Sequence, residues 1–162
     1  MLQFVEANEQ DLDSMLELYN QYIENTSILF DNSRISLEEF STRVHIRHNT
    51  YKTFIIREEN HFCGFCFLTQ FRKKRAYEKT AEVGLYLKPE FTRKGLGQEI
   101  VPYLEEIARI QQIEVIIASI SAENVASLSL FRKLGYEQCA HYIKVAEKFG
   151  RKLDLVDFQK IL

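Results

Sequence analysis

The sequence predicts an α+β fold in one domain spanning residues 1–162. Three observations carry that class. Short runs that suit a pleated surface alternate with longer runs whose apolar residues recur at helical spacing. Their order, β-α-α-β-β-β-α-β-α-β-β, contains no repeat, linker or low-complexity segment. The chain's 162 residues, 46% hydrophobic and 27% charged, are the size of one domain with a sizeable core.

Residues 2–6 alternate as a first strand. Asn8 and Asp11 make a capped start for a helix that carries Leu12, Met15, Leu16, Tyr19, Tyr22 and Ile23 to about residue 25. A polar loop with Thr26, Phe30 and Asp31 follows, and Ser36 with Glu39 forms a capping box for a second helix reaching about residue 47. Residues 51–57 and 62–71 read as antiparallel strands joined through Glu58-Glu59-Asn60. Residues 81–87 form the next strand, stopped by Pro89. Gly95 and Gly97 then open a helix over 97–111 with Ile100, Tyr103, Leu104, Ile107 and Ala108 on one side. Pro102 falls inside that pattern, where it removes a hydrogen bond and is expected to kink the helix or shift its start. Residues 115–120 read as a buried strand, 124–134 as a helix stopped at Gly135, and 136–145 and 153–162 as the last two strands.

The formal charge of -2 supplies no field that would draw the chain to nucleic acid or an anionic membrane. Neither a charged-then-apolar leader nor an apolar run of the roughly 20 residues needed to span a bilayer is present, so a cytoplasmic location is expected. Cys63, Cys66 and Cys139 are an odd set that argues against a disulfide framework. Cys63-Gly64-Phe65-Cys66 has redox spacing, but it lies in a strand, where residues three apart point to opposite faces, so buried structural cysteines are expected. Zinc is not expected either, because no second ligand pair follows.

The chemistry centres on residues 80–98, which read strand, tight turn, glycine-bearing loop, helix. A helix entered through such a loop presents unpaired N–H groups and the positive end of its dipole, which suits a phosphate. A dinucleotide fingerprint lacks its third glycine, since position 100 is Ile, and a P-loop lacks its Gly-Lys-Ser/Thr triplet.

Seven segments in order carry a family resemblance. They are Leu18-Tyr19-Asn20 with Thr26 and Phe30; residues 71–77, FRKKRAY; Thr80-Ala81-Glu82; Arg93-Lys94-Gly95-Leu96-Gly97; Asn124-Val125-Ala126-Ser127; Leu134-Gly135-Tyr136; and Lys148-Phe149-Gly150-Arg151 with Asp154. Over nearly its whole length the chain resembles the GCN5-related N-acetyltransferase (GNAT) superfamily, in particular its phosphinothricin and methionine sulfoximine acetyltransferase-like group. The resemblance implies a GNAT fold, with a mixed, mostly antiparallel central sheet of about seven strands flanked by about four helices. It also implies acetyl-CoA as co-substrate, no metal, and a homodimer.

By that resemblance, Arg93, Lys94, Gly95, Leu96, Gly97 and Gln98 hold the pyrophosphate, largely through backbone N–H groups. Thr92 departs from the Gln or Arg usual at the head of this loop. The backbone of Leu85, Tyr86 and Leu87 is expected to pair with the pantetheine arm, and Asn124 to contact it while also capping its helix. Glu82 is the expected general base, because amide formation from a thioester requires a neutral amine, and an oxyanion donor is expected near Leu85. Phe131 stands where a Tyr or His often protonates the leaving thiolate; Tyr86, Tyr103 and His141 are the alternatives in reach of the sequence. Phe30, Arg72, Arg75 and Tyr77 are expected around a small amine or amino-acid acceptor, with Arg suited to its carboxylate. Lys152 replaces a common Trp. The resulting function is acetyl transfer from acetyl-CoA to the primary amine of an amino-acid-like acceptor by direct attack. Alternatives are a non-catalytic acyl-CoA-binding or sensor protein, prompted by Phe131 and Thr92, and nucleic-acid binding through the basic run 72–75, which the net acidic charge opposes.

Overall fold

A computed structural model describes residues 1–162 and gathers seven strands into one sheet. The elements in chain order are β1 (Leu2–Glu6), α1 (Leu12–Asn25), α2 (Leu37–Ser41), β2 (Thr53–Glu58), β3 (His61–Gln70), β4 (Thr80–Leu87), α3 (Gly97–Ile110), β5 (Val115–Ser121), α4 (Val125–Lys133), β6 (Glu137–Lys148) and β7 (Arg151–Ile161). The sheet order is β1-β2-β3-β4-β5-β7-β6, antiparallel throughout except for the parallel β4–β5 pair. The parallel β4–β5 pair needs a crossover, which α3 supplies, and α4 carries the chain from β5 past the place of β7 to edge strand β6.

Strand alternation sends the apolar residues of this sheet into two cores. On one face Ile56, Cys66, Leu68, Ala81, Ile116, Ala118, Val156 and Phe158 pack against Ile100, Leu104 and Ala108 of α3 and Phe131 of α4. On the other, Ile55, Phe65 and Phe67 pack against Met15, Leu18, Tyr19 and Ile23 of α1 and Phe40 of α2. The loop after α1 is tied down at several points. Asn20 accepts from the Ile35 N–H at 2.9 Å and donates to the Ile35 carbonyl at 3.2 Å. Arg43 makes two 2.8 Å bonds to Asp31, holding that carboxyl below its usual range. Lys148, 2% exposed, donates from Nζ to the carbonyls of Ile23 (2.6 Å) and Leu29 (2.7 Å). Its burial pulls its pKa down, while the Asp31 charge opposes the shift.

Four sequence expectations change. The second helix stops at Ser41 rather than near residue 47, because the hydroxyls of Ser41 and Thr42 bond back to the carbonyls of Leu37 and Glu39, each at 2.7 Å, and Arg47 turns to φ +55°. Cys63 and Cys66 are buried as expected but lie in the same core, not on opposite faces. The β2–β3 register steps from Ile56↔Gly64 to Arg57↔Phe62, and this bulge returns Cys63 to the α3 side. The helix entered at Gly97 runs through Pro102 without interruption; residue 102 is exposed, so water can satisfy the carbonyl that its ring leaves unpaired. The last hairpin is longer than read, with β6 reaching Lys148 and β7 starting at Arg151. Its two-residue turn, Phe149 (φ +52°) and Gly150 (φ +69°), matches the strand twist.

Candidate active site

The β4–β5 ladder is short. It pairs Thr80, Ala81 and Glu82 with Val115, Ile116 and Ile117, and from Val83 onward β4 has a strand partner on its β3 side only. Where the strands part lies a cavity of about 670 Å³. Its walls include Leu85 and Leu87 of β4, Tyr22 of α1, Thr26 and Ile28 of the following loop, and Asn124, Ser127 and Ser129 at the start of α4. Arg93, Gly95, Leu96, Gly97 and Gln98 close the end where α3 begins.

That end is built from main chain. Gly95 sits at φ +79°, a region open to glycine at little cost. A Cβ on Gly97 would lie 2.5 Å from Leu130 Cδ2, so any larger residue there requires the Leu130 side chain to move. No side chain caps α3. The N–H groups of Lys94, Gly95, Leu96 and Gly97 find no acceptor in the protein, which leaves four adjacent donors at the positive end of a 14-residue helix. The Thr92 hydroxyl donates to the Pro89 carbonyl at 2.7 Å and is thereby occupied. Lys94 does not line the cavity; its ammonium lies 5.3 Å from the Phe91 ring centre. Asn124 lines the cavity and also caps α4, accepting from the Ser127 N–H at 3.2 Å.

Glu82 lies outside the lining, at the N-terminal end of β4 and on the α1 side of the sheet. It is partly buried, and Ser119, two residues beyond its β5 register partner Ile117, lies on the same face beside it. Burial and then the Asp157 charge push its carboxyl up, against the opposing pull of the nearby Ser119 hydroxyl. Thr69 stands opposite it on β3, and His45 Nε2 is 2.8 Å from the Thr69 hydroxyl. Tyr86, expected from sequence beside Leu85 and Leu87, is not among the lining residues, and its ring is enclosed by Tyr19, Tyr22, Phe65 and Phe67. Phe30, Arg72, Arg75 and Tyr77 also lie outside the lining. The Arg72 guanidinium lies 4.9 Å from the Phe71 ring centre and 6.0 Å from that of Tyr77 in the connection leading to β4, and Arg75 opens a 3₁₀ turn there.

The structure thus brings Leu85, Leu87, Arg93, Gly95, Leu96, Gly97, Gln98 and Asn124 around one cavity. None of the proton donors considered from sequence reaches it: the Tyr86 ring is enclosed by other aromatics, Tyr103 is stacked on Phe4, and His141 pairs with Asp154 at 2.8 Å, while Phe131, in the usual donor's place, packs edge-on against Tyr136. Sequence reasoning missed Tyr22, which lines the cavity and whose hydroxyl donates to the Leu87 carbonyl at 2.6 Å. Its only signal was membership of the apolar stripe of α1, where a tyrosine reads as core.

Residues 4–156 match the family model of the acetyltransferase (GNAT) domain. The chain is 30% identical over 159 residues to the L-methionine sulfoximine/L-methionine sulfone acetyltransferase of Pseudomonas aeruginosa, covering 95% of this chain and 91% of that protein. It is 27% identical over 158 residues to the phosphinothricin N-acetyltransferase of Streptomyces coelicolor, covering 95% and 92%. A solved GNAT superfamily phosphinothricin acetyltransferase from Sinorhizobium meliloti, in complex with AcCoA, superposes with a TM-score of 0.92 at 27% identity, over 99% of this chain and 88% of that one. The cavity fits such a co-substrate: four unpartnered N–H groups suit its phosphates, and the open edge of β4 suits an amide-bearing arm. The chain belongs to the GNAT acetyltransferase family, in its phosphinothricin and methionine sulfoximine acetyltransferase-like group, and is an acetyl-CoA-dependent acetyltransferase.

Proposed function

We propose that the chain acetylates the primary amine of a small amino-acid-like acceptor by direct attack, with Glu82 as general base. The observation that carries this reading is the setting of Glu82, a partly buried carboxylate with a raised pKa, one residue before β4 loses its β5 partner and opens onto the cavity. Bound acetyl-CoA supplies an activated acetyl thioester. Glu82 takes the proton from the acceptor's ammonium, directly or through a water, and frees the nitrogen lone pair. A main-chain N–H near Leu85 faces the carbonyl oxygen as charge develops there. The unpartnered N–H groups of residues 94–97, with Arg93, hold the phosphates. Arg72, Arg75 and Tyr77 receive the acceptor's carboxylate, and Phe30 borders the same pocket. With Phe131 in the core, the thiolate leaves without a donor from α4.

The relatives named for methionine sulfoximine, methionine sulfone and phosphinothricin support an amino-acid-like acceptor. Homodimerisation belongs to the same reading, supported by the exposed apolar side chains Tyr142, Ile143 and Val145 on edge strand β6. A cytoplasmic location is supported by three free cysteines. The test is thiol release from acetyl-CoA across a panel of amino acids and amines, alongside thermal shift with acetyl-CoA. Turnover on an amino-acid-like acceptor that Glu82→Gln abolishes supports the reading. Stabilisation without turnover on any acceptor, unchanged by Glu82→Gln, overturns it in favour of an acyl-CoA sensor.

A further inference from the structure

The sheet face that carries Glu82 holds a second carboxylate with no assigned role. Asp157 on β7 is 9% exposed, and its Oδ1 has no hydrogen-bond partner. It is the direct partner of Ser119 in the β5–β7 register, so the two side chains share a face, and Ser119 is two residues beyond Ile117, the β5 partner of Glu82, on that same face. Its neighbours Val156 and Phe158 point the other way, into the α3 core. Two carboxylates, on β4 and β7, therefore flank one hydroxyl on β5.

No lysine, arginine or histidine pairs with Asp157. Lys160, on the same strand, is committed elsewhere, donating to both Glu105 oxygens at 2.9 Å. Arg132 lies 5.3 Å from the Phe158 ring. A buried carboxylate with a bare oxygen and no cation is costly to keep, and an apolar side chain would satisfy this strand position. The other titratable groups around Glu82 are His45 behind Thr69, with His48 edge-on to it; Tyr86 on the same strand, with Tyr19 behind it; and Cys139 on β6, whose Sγ lies 3.4 Å from the Asp157 carbonyl. None of these is a fixed cation.

We infer that Asp157 is a specificity residue of the acceptor site: with Glu82 and Ser119 it receives the acceptor's amine as an ammonium ion. The inference rests on the reading of Glu82 as base. The ammonium gives one proton to the Glu82 carboxylate, and its nitrogen keeps the electron pair that forms the C–N bond; as the C–S bond breaks, the second proton of the nitrogen passes to the departing thiolate, giving the amide and the free thiol of CoA. Asp157 takes no part in the proton transfer. Its charge also favours the protonated form of Glu82, in line with the upward shift of that carboxyl.

The experiment compares Asp157→Asn with the unaltered protein. The acceptor KM is expected to rise roughly tenfold with little change in kcat or in the KM for acetyl-CoA, and the acidic limb of kcat/KM to move to lower pH. A turnover-independent measurement is ¹³C NMR of labelled carboxyl groups, the Glu82 signal being assigned by its loss in Glu82→Gln. Its titration midpoint is expected to fall in Asp157→Asn, and methylammonium chloride to shift the carboxyl signals saturably only where Asp157 is present. Asp157→Leu, which removes the bare oxygen, serves if the Asn variant fails to fold, with the same losses expected. Unchanged acceptor KM, midpoint and methylammonium response overturn the inference, even if Tm moves. Absence of turnover in the unaltered protein overturns the reading of Glu82 instead, and the NMR titration still decides the role of Asp157.

Discussion

The C-terminal half of β4 meets its cavity with main-chain groups, whereas the N-terminal half presents side chains. Around residues 83–97 the donors are an unpaired strand edge and four N–H groups at the start of α3. Around Glu82 the groups are Ser119, Thr69 with His45, and Asp157, drawn from β5, β3, the loop after α2 and β7. Backbone groups bind whatever the side chains are, so the first region tolerates departures such as Thr92, whose hydroxyl is turned to Pro89. The second has no such tolerance, because each of its groups is one side chain deep.

That contrast can be broken experimentally, and the largest effect is expected at Glu82. Glu82→Gln should lower kcat/KM by roughly 10²–10⁴-fold while the thermal shift from acetyl-CoA is kept. Loss of both together would merge the two regions into one. Gly97→Val should act in the opposite sense. Its side chain would meet Leu130 closer than van der Waals contact, at an expected cost of about 1–3 kcal/mol in folding stability, read by denaturant unfolding, together with weaker acetyl-CoA binding. Arg93→Ala should weaken acetyl-CoA by roughly tenfold in calorimetry, with a smaller loss at high salt, since the N–H groups remain.

The smallest effect concerns pH and folding. A carboxyl whose folded pKa is raised, as burial raises that of Glu82, holds its proton better in the folded state. Stability therefore falls as pH rises from the ordinary carboxylate range through the raised folded value, and this contribution is fully present only below the ordinary range. Glu82→Gln should flatten that slope in urea unfolding across the window; an unchanged slope would place the Glu82 carboxyl in water. Activity runs the other way, because the base works deprotonated, so the enzyme should gain rate over the pH range in which it loses stability.

Much of the fold was legible because local rules set it. The alternation of β1, the spacing of α1 and the stop at Pro89 all act within a few residues, as does the glycine spacing that opens α3. The glycine-bearing loop before α3 was legible for the same reason: Gly95 and Gly97 lie two residues apart in sequence, and their lack of side chains is itself the signal. The misreadings came from competition between local and long-range bonds. Hydroxyls of Ser41 and Thr42 ended α2 early, and a bulge paired with β2 turned Cys63 to the side of Cys66.

By itself, then, the sequence determined element order, fold class, family and the glycine-bearing loop that opens α3, because periodicity, caps and glycines report short-range sterics. Only the tertiary structure decided that Tyr22 lines the cavity, that Phe131 does not, and that Asp157 shares a face with Glu82 across Ser119. Asp157 and Glu82 lie 75 residues apart in the chain. Their meeting depends on the strand order β4-β5-β7 and on a register that a one-residue slip would reverse, facing Asp157 into the α3 core.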